Sequence, residues 1–304
     1  MSNEGVIVPE PGDWVVGRAD TPREEPARHW PVRDPPPPVP LITFLSDYGP
    51  WDEFVGVCHA VIARRCPRAR VIDLAHGIAR HDVRAGALAL DAALRYSPPG
   101  VHLAVVDPGV GGARRAVAVR VAGRVLVGPD NGLLSVAAES LGGTLEAVDI
   151  GDSPECLRPI SATFHGRDVF APVAAALADG ADLEAVGVAI AVETLETLEL
   201  PRAHRHGDAV VAHVLTTDVY GNVSLDATPE LARAAGLEPG AALVVEVAGR
   251  EAAGQLGRTF ADVPPGELLA YGDARGTLAL AVNGGSAAAL LDVRPDDEVR
   301  LRAR

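Results

Sequence analysis

The chain has 304 residues, 48% of them hydrophobic, and a formal net charge of −14 at pH 7. That length suffices for two domains with a sizeable core, while the acidic balance opposes general binding to phosphate backbones, so no nucleic-acid partner is expected. All 27 basic residues are arginine, which excludes a lysine Schiff base, a Walker lysine and a lysine general base.

Residues 1–39 carry Pro9, Pro11, Pro22, Pro26, Pro31 and the run Pro35 to Pro38, a composition that predicts an extended, poorly ordered tail in which Trp14, Val15 and Val16 form one small anchor. It shows no basic segment followed by an apolar one, so no signal peptide is expected. No later stretch approaches the roughly 18–20 apolar residues of a membrane span, so no membrane partner is expected either. Cys58, Cys66 and Cys156 make an odd count without C-x-x-C spacing. That is the usage of reduced thiols and points to the cytoplasm.

The first strand expected is Leu41 to Leu45, ending on Ser46-Asp47-Tyr48-Gly49. A helix over Trp51 to Arg65 follows, with apolar residues at helical spacing and Pro67 as its stop. Val71 to Leu74 reads as a strand followed by His76. Asp82 is placed to cap a helix from Val83 to about Tyr96. Val101 to Val106 is an apolar run that reads as a buried strand. Strand and helix alternate throughout, which predicts βαβ units and a mainly parallel sheet.

The run ends on Asp107-Pro108-Gly109-Val110-Gly111-Gly112-Ala113-Arg114-Arg115. Ligands in open α/β sheets sit at the carboxyl ends of strands, and an Asp there, with Arg114 across a glycine turn, can form a fixed ion pair at a pocket mouth. A plainer account is a hairpin with solvated charges. Ala116 to Val121 and Val125 to Val127 read as a hairpin turning at Ala122-Gly123. Pro129-Asp130-Asn131-Gly132 leads to a helix near Leu133 to Ser140, and Leu145 to Ile150 is another strand. Thr163-Phe164-His165-Gly166-Arg167-Asp168 precedes an alanine-rich helix, Val169 to Ala178, and places His165 at a loop-to-helix junction within a dense polar cluster.

Glu193 to Pro201 reads as extended and Arg202 to Gly207 as a linker. Its His204 and His206 lack a third ligand nearby, so a solvated loop is preferred to a metal site. From Asp208 short apolar strands dominate: Ala209 to Leu215, Ala242 to Val247, Leu268 to Tyr271 and Leu278 to Val282, with one helix at Pro229 to Ala235. Between them lie the polar turns Asp218-Val219-Tyr220-Gly221-Asn222 and Asn283-Gly284-Gly285-Ser286-Ala287. The expected organisation is a tail over residues 1–39, an α/β domain over 40–200 and a smaller β-rich domain over 208–304.

Taken together and in this order, the motifs Ser46-Asp47-Tyr48-Gly49, Val106 to Gly111, Arg114-Arg115, Pro129 to Gly132, Thr163 to Asp168, Tyr220-Gly221-Asn222 and Asn283 to Ala287 resemble those of the S-adenosyl-L-methionine (SAM) hydrolases that form adenosine, also called SAM hydroxide adenosyltransferases. These are relatives of fluorinases and chlorinases. The resemblance runs from about Leu41 to Arg302. It implies a larger α/β domain with a small barrel-like domain, and a homotrimer that holds SAM between the large domain of one chain and the small domain of its neighbour. It further implies Asp107, Arg114 and His165 as the catalytic groups, with Asp47 on the ribose hydroxyls and Asp218 on the amino-acid part. Asn222 and Tyr220 fall on the adenine side, Ser286 on the methionine carboxylate, and Asn131 in a motif bordering the pocket. The halogenating relatives place an aromatic residue at the position of Asp107 and a small hydroxyl residue at that of Val110. Fluorinases also insert a loop where this chain has only Ala122-Gly123-Arg124. Water is therefore the expected nucleophile, with no metal or cofactor, and either Asp107 or His165 as proton acceptor. A halogenase on the same scaffold and a non-catalytic SAM or adenosine sensor are the alternatives.

Overall fold

The computed structural model describes residues 39–304. The tail expected over residues 1–39, with its anchor at Trp14, Val15 and Val16, lies outside the described residues up to residue 38. The first apolar run forms β1 (Leu41–Ser46), followed by α1 (Phe54–Arg65), β2 (Arg70–Ala75), α2 (Val83–Leu94) and β3 (Val101–Val105). α1 closes at Cys66, before a proline that has no N–H to continue the ladder. Trp51, expected in this helix, precedes it and is exposed. α2 opens on Asp82, whose carboxylate accepts the Ala85 N–H at 2.8 Å, an N-cap that satisfies one orphan donor of the first turn.

β4 (Ala116–Val121) and β5 (Arg124–Pro129) form the expected hairpin. Ala122 and Gly123 both have positive φ, as a two-residue hairpin turn of this hand requires. After α3 (Ser135–Ser140) come β6 (Glu146–Asp149), α4 (Ala171–Ala178), α5 (Leu183–Val186) and β7 (Val188–Ile190). The strands form one sheet in the order β2-β1-β3-β5-β4-β6-β7. Its first four strands are parallel, and β4, β6 and β7 extend it antiparallel. α1 and α4 pack with Ile42, Phe44, Leu103 and Val105 on one face. α2 and α3 pack with Leu45, Ala104, Val106 and Leu126 on the other. A strand covered on both faces has no solvent side, which is why β3 reads as an apolar run broken only by buried His102, whose Nδ1 lies 2.9 Å from Thr43 Oγ1.

Residues 202–207, expected as a linker, contain β8 (His204–His206), which pairs with β9 (Ala209–Thr217). Its three residues are all polar and exposed and carry no strand signal. A single 3₁₀ turn, Val192–Thr194, overlaps the start of the segment expected as extended from Glu193. Beyond β9 lie β10 (Val223–Leu225), α6 (Pro229–Ala234), β11 (Ala242–Val247), β12 (Arg250–Leu256), β13 (Leu268–Gly272), β14 (Leu278–Val282), α7 (Ala287–Leu291) and β15 (Glu298–Ala303). The sequence reading lacks β10, β12, α7 and β15. Pairing of β10 with both β9 and β14 closes seven strands into a barrel, with β8 outside it. Alternate residues fill its interior, among them Val210, Ala212 and Val214, Leu243, Val245 and Val247, and Val299 and Leu301, as a closed sheet with one inner face demands. Arg84 of α2 pairs with Asp296, and Arg95 Nη1 donates to the Arg275 carbonyl at 2.7 Å. These contacts hold the barrel against the large sheet.

Candidate active site

β1 and β3 run side by side in parallel, so the residues that follow them leave the sheet at the same edge. Asp47 follows β1 directly and Asp107 lies two residues beyond β3. Both line a cleft of about 550 Å³, together with Tyr48, Phe54, Val110, Phe164 and His165.

Asp107 and Arg114 form a two-point ion pair. Arg114 Nε donates to Asp107 Oδ1 at 2.9 Å, and Nη2 donates to Oδ2. The side chains are only 6% and 11% exposed, respectively, so the pair is poorly screened and geometrically fixed. Arg114 Nη2 also lies 2.8 Å from His165 Nδ1, and the guanidinium stands over the Phe170 ring at 5.2 Å. A guanidinium only donates. His165 Nδ1 is therefore an acceptor, and the neutral ring carries its proton on Nε2. Burial, and then the Arg114 charge, hold the His165 pKa below the ordinary imidazole value, which keeps the ring neutral near pH 7.

Two turns must touch for this triad to exist. Gly111 sits at φ +74°, and a Cβ there would lie 2.1 Å from the Ala162 carbonyl oxygen. Only glycine lets the turn after β3 approach the loop that carries His165. That loop is folded back by Asp168, whose side chain is 2% exposed. Asp168 accepts the Ser161 N–H at 2.8 Å and two Arg167 N–H groups at 2.6 and 2.8 Å. The helix expected from Val169 instead begins with a π-turn, Gly166–Phe170, that continues into α4. His165 is the residue just before it.

Asp47 Oδ2 accepts the His81 N–H at 2.9 Å, and His81 has φ +66°, a conformation that costs energy for a residue with a side chain. Asn131 is placed differently. Its Nδ2 donates to the Val106 carbonyl at 2.9 Å and its Oδ1 accepts the Leu133 N–H at 3.1 Å, so the amide ties the end of β3 to the turn before α3. It borders a hollow beside Arg114, Arg115 and Asp130 and does not line the cleft.

Asp218, Tyr220, Asn222 and Ser286 gather in the barrel. Asp218 Oδ1 accepts the Tyr220 and Asn222 N–H groups at 2.9 Å each, and Oδ2 accepts Asn222 Nδ2–H at 2.8 Å. Ser286 caps α7 through the Ala289 N–H at 3.1 Å. Gly221, at φ +81°, would place a Cβ 2.1 Å from Ser286 Oγ, so the two turns abut through a bare backbone. Tyr220 is 77% exposed. None of these four residues lines the cleft. The chain thus presents two groups, one at the sheet edge and one on the barrel.

The sequence reading did not single out the aromatic wall of the cleft. Tyr48, Phe54 and Phe164 meet with ring centroids 5.1–5.8 Å apart. Tyr48 and Phe164 stand inside two of the motifs, which was the available signal. Burial, reinforced by nearby Cys58, Asp107 and Asp47, pushes the Tyr48 phenol well above its usual pKa, so it keeps its proton. Gly166 leaves the room this ring needs, since a Cβ there would lie 1.9 Å from the Tyr48 hydroxyl. His204 and His206 lie exposed on β8, and no metal-binding group found among the described residues includes them.

A family model described as the SAM hydroxide adenosyltransferase N-terminal domain matches residues 42–187, and one described as the C-terminal domain matches residues 212–300. The (R)-S-adenosyl-L-methionine hydrolase of Salinispora tropica is 50% identical over 267 residues, covering 88% of this chain and 99% of the relative. The (R)-S-adenosyl-L-methionine hydrolase of Thermus thermophilus is 44% identical over 273 residues, covering 86% and 98%. A fluorinase of Nocardia brasiliensis is 30% identical over 278 residues, covering 82% and 92%. Among solved structures, an uncharacterized conserved protein from Thermotoga maritima superposes with a TM-score of 0.81 at 36% identity, covering 86% of this chain and 99% of that one.

Proposed function

Because the chain belongs to the SAM hydroxide adenosyltransferase family, we propose that it hydrolyses S-adenosyl-L-methionine at the ribose 5′ carbon to adenosine and L-methionine. The observation that carries the mechanism is the buried Asp107–Arg114 pair with His165 on its guanidinium, facing a cleft beside the strand-end Asp47. The sulfonium of the substrate is already an activated leaving group. Water attacks C5′ in line with the carbon–sulfur bond. A C–O bond forms, the C–S pair returns to sulfur as a neutral thioether, and one proton leaves the water.

Asp107 is the better acceptor for that proton. His165 Nδ1 is occupied by Arg114 and its Nε2 already carries hydrogen, so the ring acts as a donor that orients water. Arg114 holds Asp107 in a fixed orientation through two parallel hydrogen bonds. Positioning of this kind can supply roughly 7–11 kcal/mol of the barrier. Asp47 takes the ribose hydroxyls and the aromatic wall excludes bulk water. The exposed barrel group, with Asp218 on the amino-acid part, Asn222 and Tyr220 on adenine and Ser286 on the carboxylate, completes the pocket of a neighbouring copy in a homotrimer. In support of that sharing, the group lies outside the cleft of its own chain.

The named hydrolase relatives act on the (R) form of SAM, and we extend that preference to this chain. The three cysteines are buried and unpaired, which supports a reducing compartment such as the cytoplasm. No helix among the described residues is long and apolar enough to cross a membrane. The test is incubation with each sulfonium epimer of SAM in the presence of a chelator, followed by chromatography. Equimolar adenosine and methionine from the (R) form are expected. Halide-dependent formation of a 5′-halogenated nucleoside would instead establish a halogenase, and binding without product a sensor.

A further inference from the structure

We propose that His59, Asp73 and His76 form a binding site for one divalent transition-metal ion of the zinc type, separate from the reaction centre. The three residues come from rigid neighbours: His59 from α1, Asp73 from β2 and His76 from the turn directly after it. Their candidate donor atoms all lie within 4.8 Å of one another. His59 Nε2 stands 2.8 Å and His76 Nε2 3.0 Å from the same oxygen, Asp73 Oδ1.

This cluster differs from the other well-held carboxylates of the chain. Asp107, Asp130, Asp168 and Asp91 each pair with an arginine, and Asp226 pairs with the single imidazole of His213. Asp73 instead meets two imidazoles, and among the described residues these are its ion-pair partners. Two imidazoles and one carboxylate are the donor set of many three-ligand zinc sites, which keep a further position for water. Zinc bonds of roughly 2.0–2.2 Å place such donors about 3.3 Å apart at a tetrahedral angle, a few tenths of an ångström beyond the two imidazole–carboxylate spacings here, while the two imidazoles lie within 4.8 Å of each other. The side chains of His59 and Asp73 are 34% and 44% exposed, so both can yield that distance, and the open side admits the water.

The outer contacts suit a metal as well. His76 Nδ1 lies 2.7 Å from Ser46 Oγ, the kind of second partner that fixes a ligating imidazole. Ser46 Oγ already accepts the Tyr48 N–H at 3.3 Å, so it can equally accept from Nδ1 when Nε2 turns to a metal. The Phe44 ring packs against both imidazoles, edge-on to His76 at 4.7 Å and tilted to His59 at 6.1 Å. None of the three ligands lines the cleft. The ion would clamp α1 to β2 and to the turn whose His76 carbonyl accepts the Gly49 N–H at 2.7 Å, just behind Asp47. Its role is structural.

The test is calorimetric titration of the chelator-treated full-length protein with zinc chloride at neutral pH, with thermal melts in parallel. One equivalent of zinc bound with micromolar or tighter affinity and a raised melting temperature are expected. His59→Gln keeps a donor for Asp73 but should weaken zinc at least tenfold and cancel the thermal shift, whereas His204→Gln should leave both unchanged. His76→Gln should match His59→Gln where it folds, and His59→Gln, on a helix surface, carries the test alone if it does not. Absence of saturable binding, or affinity unchanged in His59→Gln, overturns the proposal.

Discussion

The triad at the sheet edge and the polar group on the barrel are built in opposite ways. Asp107, Arg114 and His165 are held from several directions by the buried ion pair, the Phe170 ring, the Gly111–Ala162 contact and the Asp168 anchor. Asp218, Tyr220, Asn222 and Ser286 sit in two turns that satisfy their own backbone groups at the surface. The first group is pre-organised before any ligand arrives, which is what a reaction relying on orientation needs. The second is proposed to serve recognition, and ligand or partner contacts there must compete with bonds already made. Catalytic power and substrate affinity should therefore separate between the two regions, and the following variants probe that separation.

The largest expected effect is that of Asp107→Asn. It preserves size but removes the charge and the proposed proton acceptor, so kcat should fall by roughly 10²–10⁴ while SAM affinity changes far less. Near-native turnover measured on folded protein would remove Asp107 from the mechanism. Gly111→Ala comes next. Its Cβ cannot coexist with the Ala162 carbonyl, so the turn and the His165 loop must part. A displacement of about 1 Å can cost about 10²-fold in rate. Wild-type kcat in this variant would show that the contact between the two turns does not set the triad.

Asp218→Ala should act on the other side of the comparison, raising KM about tenfold, or about 1.4 kcal/mol of binding, with kcat nearly intact. If the barrel group serves a neighbouring chain, mixing and reassembling Asp107→Asn with Asp218→Ala protomers should recover rapid turnover at the wild-type KM, which neither homogeneous protein shows. Recovery cannot occur if each chain uses its own barrel. Light scattering at a monomer mass would count against the shared pocket as well.

The smallest effects concern pH. His165 is held below the ordinary imidazole value, so kcat should persist as pH falls through about 6.5 and decline only when the ring protonates beside Arg114. A decline centred at or above that value would contradict the neutral-ring role. Stability should respond sooner. Burial, and then the Arg124 charge, lower buried His102 to about 4. Below about 6.5 the unfolded chain takes up a proton that the folded chain refuses, and stability falls progressively toward pH 4. Melting temperatures measured between pH 7 and pH 4 check this, and a flat profile would refute it.

Much of this was legible from local pattern. The mostly apolar run of β3, the Asp82 cap and the two-residue turn at Ala122-Gly123 are short-range consequences of burial, capping and turn chemistry. Most misses fall where local pattern is weak, whereas β15 alternates polar and apolar residues and was legible. β8 and β10 have three residues each, too few for periodicity to register. β12 reads Arg250-Glu251-Ala252-Ala253-Gly254-Gln255-Leu256, with no apolar alternation, and its strand character comes from its partners β11 and β13.

The sequence by itself determined which side chains end which strands, because a carboxylate after an apolar run, followed by glycines, stays a strand-end carboxylate under any packing. It also determined the family, through motifs held in order along the chain. Only the tertiary structure decided that Asp107, Arg114 and His165 meet across 58 residues of chain, that Asn131 ties backbone together instead of lining the cleft, and that Asp73 faces two imidazoles. Those are contacts between distant segments. They depend on how closely two backbones approach, at Gly111 and Ala162 above all, and spacing along a chain carries no measure of that distance.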